Sequence, residues 1–153
     1  MGSNIDFEWL MTAHVQVFRP LQIGDTSIGF KQGVPIGEGH FEGPEIRGNV
    51  IAGSHDWQLI QRDGIALLDV TGAMLTDDGV TIRVSSQGMR HGPPEVMERL
   101  SAGEEVPPDE YYMRAVAHFE APDGPYEWLN RAMFVSWGER YADRVVIHYY
   151  KVL

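Results

Sequence analysis

Apolar and polar residues alternate with a period of two along most of this chain. Phe7, Trp9, Met11, Ala13, Val15 and Val17 fall on one face of the opening segment, while Glu8, Thr12, His14 and Gln16 fall mostly on the other. Period two marks a half-buried strand, because successive side chains point to opposite faces of a sheet. The same pattern predicts further strands over 27–36, 41–51, 57–61, 65–75, 80–87, 111–120, 129–137 and Arg144–Val152. Turn chemistry separates several of them. Arg62-Asp63-Gly64, Asp77-Asp78-Gly79 and Pro122-Asp123-Gly124 supply residues that tolerate the positive φ of tight turns. One helix breaks the pattern, over 94–102: Pro93-Pro94 opens it and Gly103 stops it, as expected of a first turn that needs no N–H from proline. The excursion 88–109 that contains this helix is long enough to serve as a lid or binding loop.

About nine strands at this spacing predict an all-β domain. A closed antiparallel β-barrel with one short helix accounts for them better than a two-sheet sandwich. Many strands carry bulky apolar residues on one face and mixed polar and aromatic residues on the other, as the wall of a ligand cavity does.

Composition narrows the function classes. The chain has 153 residues, 12 basic against 22 acidic, and a net charge of −10. Such a surface repels phosphate backbones, so nucleic acid is not an expected partner. No apolar run approaches the length of a membrane span, and the first residues, MGSNIDFEWL, lack the basic-then-apolar order of a signal peptide. A cytoplasmic location is expected. With no cysteine, disulfides and thiolate chemistry drop out. Neither a nucleophile elbow nor a glycine-rich phosphate loop occurs, so no cofactor is expected.

Candidate chemistry gathers first in the stretch GHFEGPEIRGNVIAGSHDW, residues 39–57. Its glycines mark bulges, corners or close approach, and they sit among His40, Glu42, His55, Asp56 and Trp57. These histidines and carboxylates lack any helical metal-binding motif, so turn and hydrogen-bonding roles are expected and a metal is not. Asp56 and Trp57 read as an acid beside a large ring at a cavity rim, or as a turn cap followed by a core tryptophan.

Asp69 stands inside the apolar run IALLDV, where an ionised carboxylate is costly unless paired. If its face lines the cavity, burial raises its pKa and makes it a general base. The alternative is an ion pair with Arg83 or Arg114. Tyr112, Arg114, Val116 and His118 share a strand face that reads either as a pocket wall or as a solvated exterior. Trp128, Asn130 and Phe134 offer an aromatic wall with one amide, or plain packing. His91 in Arg90-His91-Gly92-Pro93-Pro94 sits in a rigid turn at the mouth of the excursion.

The strings GHFEGPEIRGNV, HDWQL, RDGIALLDV, TDDGVTIRV, MRHGPPEV, DEYYMRA and WLNRAMFV, in this order, resemble an uncharacterised bacterial and fungal family, domain of unknown function three-two-three-seven. The resemblance runs over nearly the whole chain. It implies a closed or nearly closed antiparallel barrel of lipocalin-like or allene-oxide-cyclase-like shape, and it implies no particular reaction. Where that family has an Arg-Tyr pair after the LDV strand, this chain has Thr71-Gly72, which implies a roomier pocket.

The expected function is a cofactor-independent acid–base enzyme of isomerase, cyclase or lyase type. Asp69 or Asp56 would move the proton, Arg114 and Tyr112 would hold developing charge, and the substrate would be a small apolar or aromatic molecule. A binding protein for a small hydrophobic ligand is the alternative. A homodimer is also expected, because Val145, Ile147 and Tyr149 on one face of the last strand and Val146 and Tyr150 on the other exceed what one interior needs.

Overall fold

A computed structural model describes residues 4–153. Ten strands form: β1 Phe7–Val17, β2 Leu21–Thr26, β3 Gly29–Glu42, β4 Arg47–Ile51, β5 His55–Ile60, β6 Ala66–Thr76, β7 Thr81–His91, β8 Tyr112–Glu120, β9 Met133–Arg140 and β10 Arg144–Val152. Helix α1, Pro94–Ser101, lies between β7 and β8. The strands pair antiparallel in the order β1, β10, β9, β8, β7, β6. β4 and β5 share the next position, between β6 and β3, and β3 closes on β1. The result is a closed eight-stranded ring. β2 lies beyond the end of β1, paired only to the first half of β3.

Three differences from the sequence pattern have local causes. The stretches 27–36 and 41–51 do not form the two expected strands; 29–36 and 41–42 join in the single long β3, and the end of the second stretch is the short β4. Gly37-Glu38-Gly39 reads as a break, yet glycine is what lets β3 pass close to β1. A Cβ on Gly39 would collide with the His14 carbonyl, as one on Gly48 would with that of Leu75. Secondly, β1 does not keep one face throughout. Its register shifts between Trp9 and Met11, so Phe7 and Trp9 are exposed while Leu10, Met11, Ala13, Val15 and Val17 are buried. A bulge of this kind reverses the facing of everything beyond it. Thirdly, β7 runs to His91 rather than ending near 87, which places Arg90 and His91 of the expected turn on a strand.

The two ends of the barrel differ. Met11, Phe41, Met74, Ile82, Phe119 and Phe134 fill one end, closed by Leu129 from the 3₁₀ turn Glu127–Arg131. Phe119 meets Phe134 edge-on, with centroids 5.0 Å apart, a favoured aromatic geometry. At the other end a separate apolar cluster, Val96, Leu100, Val106 and Tyr111 with Met97 and Met113, ties α1 to the rim. No helix among the described residues is long and apolar enough to cross a membrane.

Candidate functional site

Below α1 the barrel is hollow. β5 begins at His55, and period two turns Asp56 and Gln58 into the interior while His55 and Trp57 face outward. Ser86 and Arg90 enter from β7, and Ser136 and Arg140 from β9. The cavity these residues line measures about 80 Å³. A second lobe of about 70 Å³ shares its walls of Ile36, Val70, Val145 and Ile147. That lobe is apolar, with Val50, Val84 and Tyr149 among its walls. The two lobes together approach the roughly 150 Å³ known to admit benzene.

Asp56 is the centre of the polar lobe. Its Oδ2 accepts a hydrogen bond from Gln58 Nε2 at 2.8 Å, and its Oδ1 accepts one from the Asp69 backbone N–H at 3.0 Å. Gln58 Oε1 accepts in turn from Gln32 Nε2 at 2.8 Å. Burial raises the Asp56 pKa above the ordinary carboxylate value, outweighing these hydrogen bonds and the attraction of Arg90 and Arg140. Burial also pushes the Arg90 guanidinium down to about 10, helped by repulsion from Arg140 and opposed by Asp56 and Tyr111. Arg140 is lowered by the same burial. Tyr111 Oη accepts the Arg140 backbone N–H at 2.7 Å, and burial raises its pKa.

The guanidiniums are not consumed by structure. Among the described residues no ion pair joins Arg90 or Arg140 to a carboxylate. Arg90 Nε is buried with no hydrogen-bond partner. A buried, unsatisfied charged donor is costly, and a cavity in which one carboxylate shares its walls with that cation and a second guanidinium, Arg140, suits an oxygen-bearing guest. A carboxylate with a raised pKa is a stronger proton acceptor than an ordinary one, and fixed guanidiniums can hold charge that develops on oxygen.

Of the residues predicted from sequence, Asp56 turns into this cavity, Arg114 contributes to its wall while its side chain lies outside, and the others lie elsewhere. Asp69 is exposed on the outer face, where Oδ1 accepts from Gln87 Nε2 at 3.1 Å. It reaches the site only through its backbone N–H. Tyr112, Arg114 and His118 are exposed too, so their face is the solvated exterior. β8 turns Met113, Ala115, Ala117 and Phe119 inward, because a sheet with one wet face buries its apolar residues. Arg114 lies over the Tyr112 ring at 4.9 Å, and both line an open outer groove of about 610 Å³ with Phe7, Met89 and Trp137.

Trp57 is half-exposed on the outside, covering Gly33, where any Cβ would strike its ring. His40 stacks on His14 at 4.8 Å, and Glu42 pairs with Arg47 across strands, both facing out. Trp128 lies under Lys151 Nζ at 5.5 Å. Asn130 clamps Ala121 with two hydrogen bonds of 2.8 Å, and Phe134 is core. His91 stacks on Tyr112 at 4.9 Å. Among the described residues no three His, Asp or Glu side chains gather as metal ligands.

Sequence reasoning missed Arg90, Arg140, Gln58 and Tyr111. The Arg90 signal was present as an unbroken period two through Ser86, Gly88 and Arg90, hidden by ending the strand early. Tyr111 lies on the face of Met113 and Ala115, opposite the one considered as a pocket wall. Thr71 is exposed, whereas Gly72 lines the apolar lobe.

The outer face holds a second polar cluster. His148 Nδ1 is 3.0 Å from Thr12 Oγ1, and His148 Nε2 is 2.6 Å from Glu139 Oε2. Tyr141 Oη donates to Glu139 Oε1 at 2.8 Å, Trp9 Nε1 donates to Thr12 Oγ1 at 3.1 Å, and Trp137 stacks on His148 at 4.0 Å. Burial alone would raise the Glu139 carboxyl, but hydrogen bonds from His148 and Tyr141 hold it below the ordinary carboxylate value.

Residues 5–152 match the family described as Protein of unknown function (DUF3237). The fold is similar to that of a conserved protein of unknown function from Rhodopseudomonas palustris, with a TM-score of 0.96 and 32% identity over 99% of this chain and 100% of the other. A beta-barrel like protein from Acinetobacter baumannii gives a TM-score of 0.87 and 30% identity over 100% of this chain and 99% of its own. An enzyme from Penicillium herquei gives 0.73 at 18% identity, with both chains covered in full. At that identity the likeness is one of fold.

Proposed function

This chain belongs to the DUF3237 family of β-barrel proteins, and from its barrel interior we propose that it is a cofactor-independent acid–base enzyme of isomerase, cyclase or lyase type. Its substrate is a small apolar or aromatic organic molecule held inside the barrel. One observation carries this reading: a carboxyl group whose pKa burial raises lines one cavity with two guanidiniums that, among the described residues, form no direct ion pair with a carboxylate. In the simplest step, the Asp56 carboxylate takes a proton from a carbon beside a carbonyl. The C–H electron pair becomes the new C=C bond, and the carbonyl π pair moves onto oxygen. Arg90 and Arg140 hold the resulting enolate oxygen. Return of the proton at another atom completes an isomerisation, and loss of a group from the next carbon completes an elimination. The Penicillium herquei neighbour, described as an enzyme, carries the same barrel.

A second reading is favoured by the two hydrogen bonds already on Asp56. A carboxylate so fixed also suits a binding protein, in which it anchors a ligand without moving a proton. Asp56→Asn separates the two readings, because it keeps shape and polarity and removes titration. The enzyme reading requires that proton exchange at a bound substrate collapse in this variant while ligand affinity changes little. Full exchange in a folded Asp56→Asn protein would leave only the binding reading.

A further inference from the structure

The inner cavity and an outer vestibule meet at the same two arginines. Arg90 and Arg140 line both the 80 Å³ lobe and a wide vestibule of about 620 Å³ between the tip of β2, the start of β3 and helix α1. Arg19, Gln22, Gln32 and Ser101 complete its polar wall, and among the described residues no Asp or Glu lines it. Three of the twelve basic residues therefore surround one opening in a chain of net charge −10. Fields concentrate in such a concavity and draw in ligands of opposite charge. Arg90 Nε, buried and without a partner, is the donor left for that ligand to satisfy. Asp56, Ser86 and Ser136 share the polar lobe with it, and the apolar lobe adjoins that one.

We infer that the substrate is an organic carboxylate with an apolar head no larger than a benzene ring. Its carboxylate is held in the vestibule by Arg90, Arg140 and Arg19, its head extends through the polar lobe into the apolar one, and its reactive carbon lies at Asp56. This rests on the acid–base reading for its last element only. Guanidinium suits the task because its planar fork matches a carboxylate with two parallel hydrogen bonds. A neutral molecule of the same shape gains none of this, so the site selects acids over their uncharged counterparts.

The test compares phenylpyruvate with phenylacetone, which keeps the ring, the ketone and the acidic CH₂ but lacks the carboxylate. Affinity is measured by calorimetry, and keto–enol exchange by loss of the benzylic protons in deuterated buffer. Phenylpyruvate is expected to bind at least about tenfold more tightly at low salt, one charge-assisted contact's worth. That advantage should shrink several-fold at about 0.5 M salt, where the Debye length falls to a few ångströms. Arg90 is so buried that replacing it tests folding as well as binding. Arg19→Gln therefore carries the test and should weaken phenylpyruvate while leaving phenylacetone unchanged, and Arg140→Gln, at a residue that also faces the ketone oxygen, should weaken phenylpyruvate more than phenylacetone. Equal affinity for the two compounds, no binding of phenylpyruvate at millimolar concentration, or a preference that survives both substitutions overturns the inference. Exchange of both compounds at equal affinity would sink the carboxylate preference and keep the acid–base reading. Tight, arginine-dependent binding of phenylpyruvate without exchange would do the reverse.

Discussion

Two charged clusters sit on opposite faces of the same barrel wall, and they differ in what is left unsatisfied. Outside, Glu139 accepts from His148 and Tyr141, and His148 is bracketed by Thr12 and the Trp137 ring. The carboxyl is held below its ordinary pKa, the mark of an ionised group that the fold stabilises. Inside, Asp56 also has hydrogen bonds, yet its pKa is raised, and the nearby arginines pair with no carboxylate. A Thr–His–Glu alignment looks more like a catalytic device than two arginines and an aspartate. The difference in satisfaction points the other way: the outer cluster is a closed structural network, and the inner one is open to a guest.

The largest expected effect breaks this contrast directly. With phenylpyruvate as substrate, Asp56→Asn should lower proton exchange by about 10²–10⁴-fold, the usual contribution of a general base. Glu139→Gln and Thr12→Ala should leave exchange nearly unchanged when rates are compared at equal ligand saturation. A loss of exchange in the outer variants that matches Asp56→Asn would exchange the roles assigned to the two clusters.

Stability should show the opposite ranking. Glu139→Gln removes a charged acceptor from two short hydrogen bonds, at a cost of about 1–2 kcal/mol given that water still reaches part of the group. Denaturant titration measures it. Because the folded pKa of Glu139 is depressed, its contribution is complete above the ordinary carboxylate range and fades as pH falls through its folded value. Wild type and variant should therefore converge in acid. A difference that persists unchanged at low pH would mean that packing, not charge, is what Glu139 supplies.

The barrel was legible in the sequence because period two and Asp-Gly turns are local signals. Facing was less legible. Once β1 shifts register between Trp9 and Met11, period two alone cannot say which of its two faces is inside, and the same ambiguity reversed the reading of β6 and β8. Asp69 and Asp56 illustrate the outcome. Both follow or flank apolar residues, yet only the pairing of Asp56 with Val70, and so the position of β5 against β6, turns one in and leaves the other out. Arg90 and Arg140 come from β7 and β9, far apart in sequence, so their meeting is a property of ring closure.

Asp56→Asn should also raise the melting temperature at neutral pH, a smaller effect of opposite sign to the outer cluster. A raised carboxyl pKa means that the native state holds its proton longer than the unfolded chain. Stability then declines as pH climbs from the ordinary carboxylate range through the raised value of Asp56, and is level above it. The variant should lack that slope. Circular dichroism melts from acid to neutral pH follow it, and identical pH profiles for the two proteins would contradict the burial cost assigned to Asp56.

The smallest effect concerns the neighbouring pair Thr71 and Gly72, one outside and one inside. Gly72 lines the apolar lobe and has no positive φ, and a Cβ there would stand 3.1 Å from Ser54 Oγ and 3.8 Å from Val84 Cγ1. Serine can turn aside, so alanine fits with little strain. Gly72→Ala should stabilise the protein by about 0.4–1 kcal/mol, chiefly by restricting the unfolded chain. The same methyl group takes space from the lobe that receives the apolar head, so affinity for phenylpyruvate should fall a few-fold. Thr71→Ala, on the exposed side of the strand, should leave affinity unchanged. Rising stability together with falling affinity is a signature that general damage to the fold does not produce. If Gly72→Ala binds phenylpyruvate as tightly as wild type, the ring does not occupy the apolar lobe, and only the vestibule end of the binding mode survives.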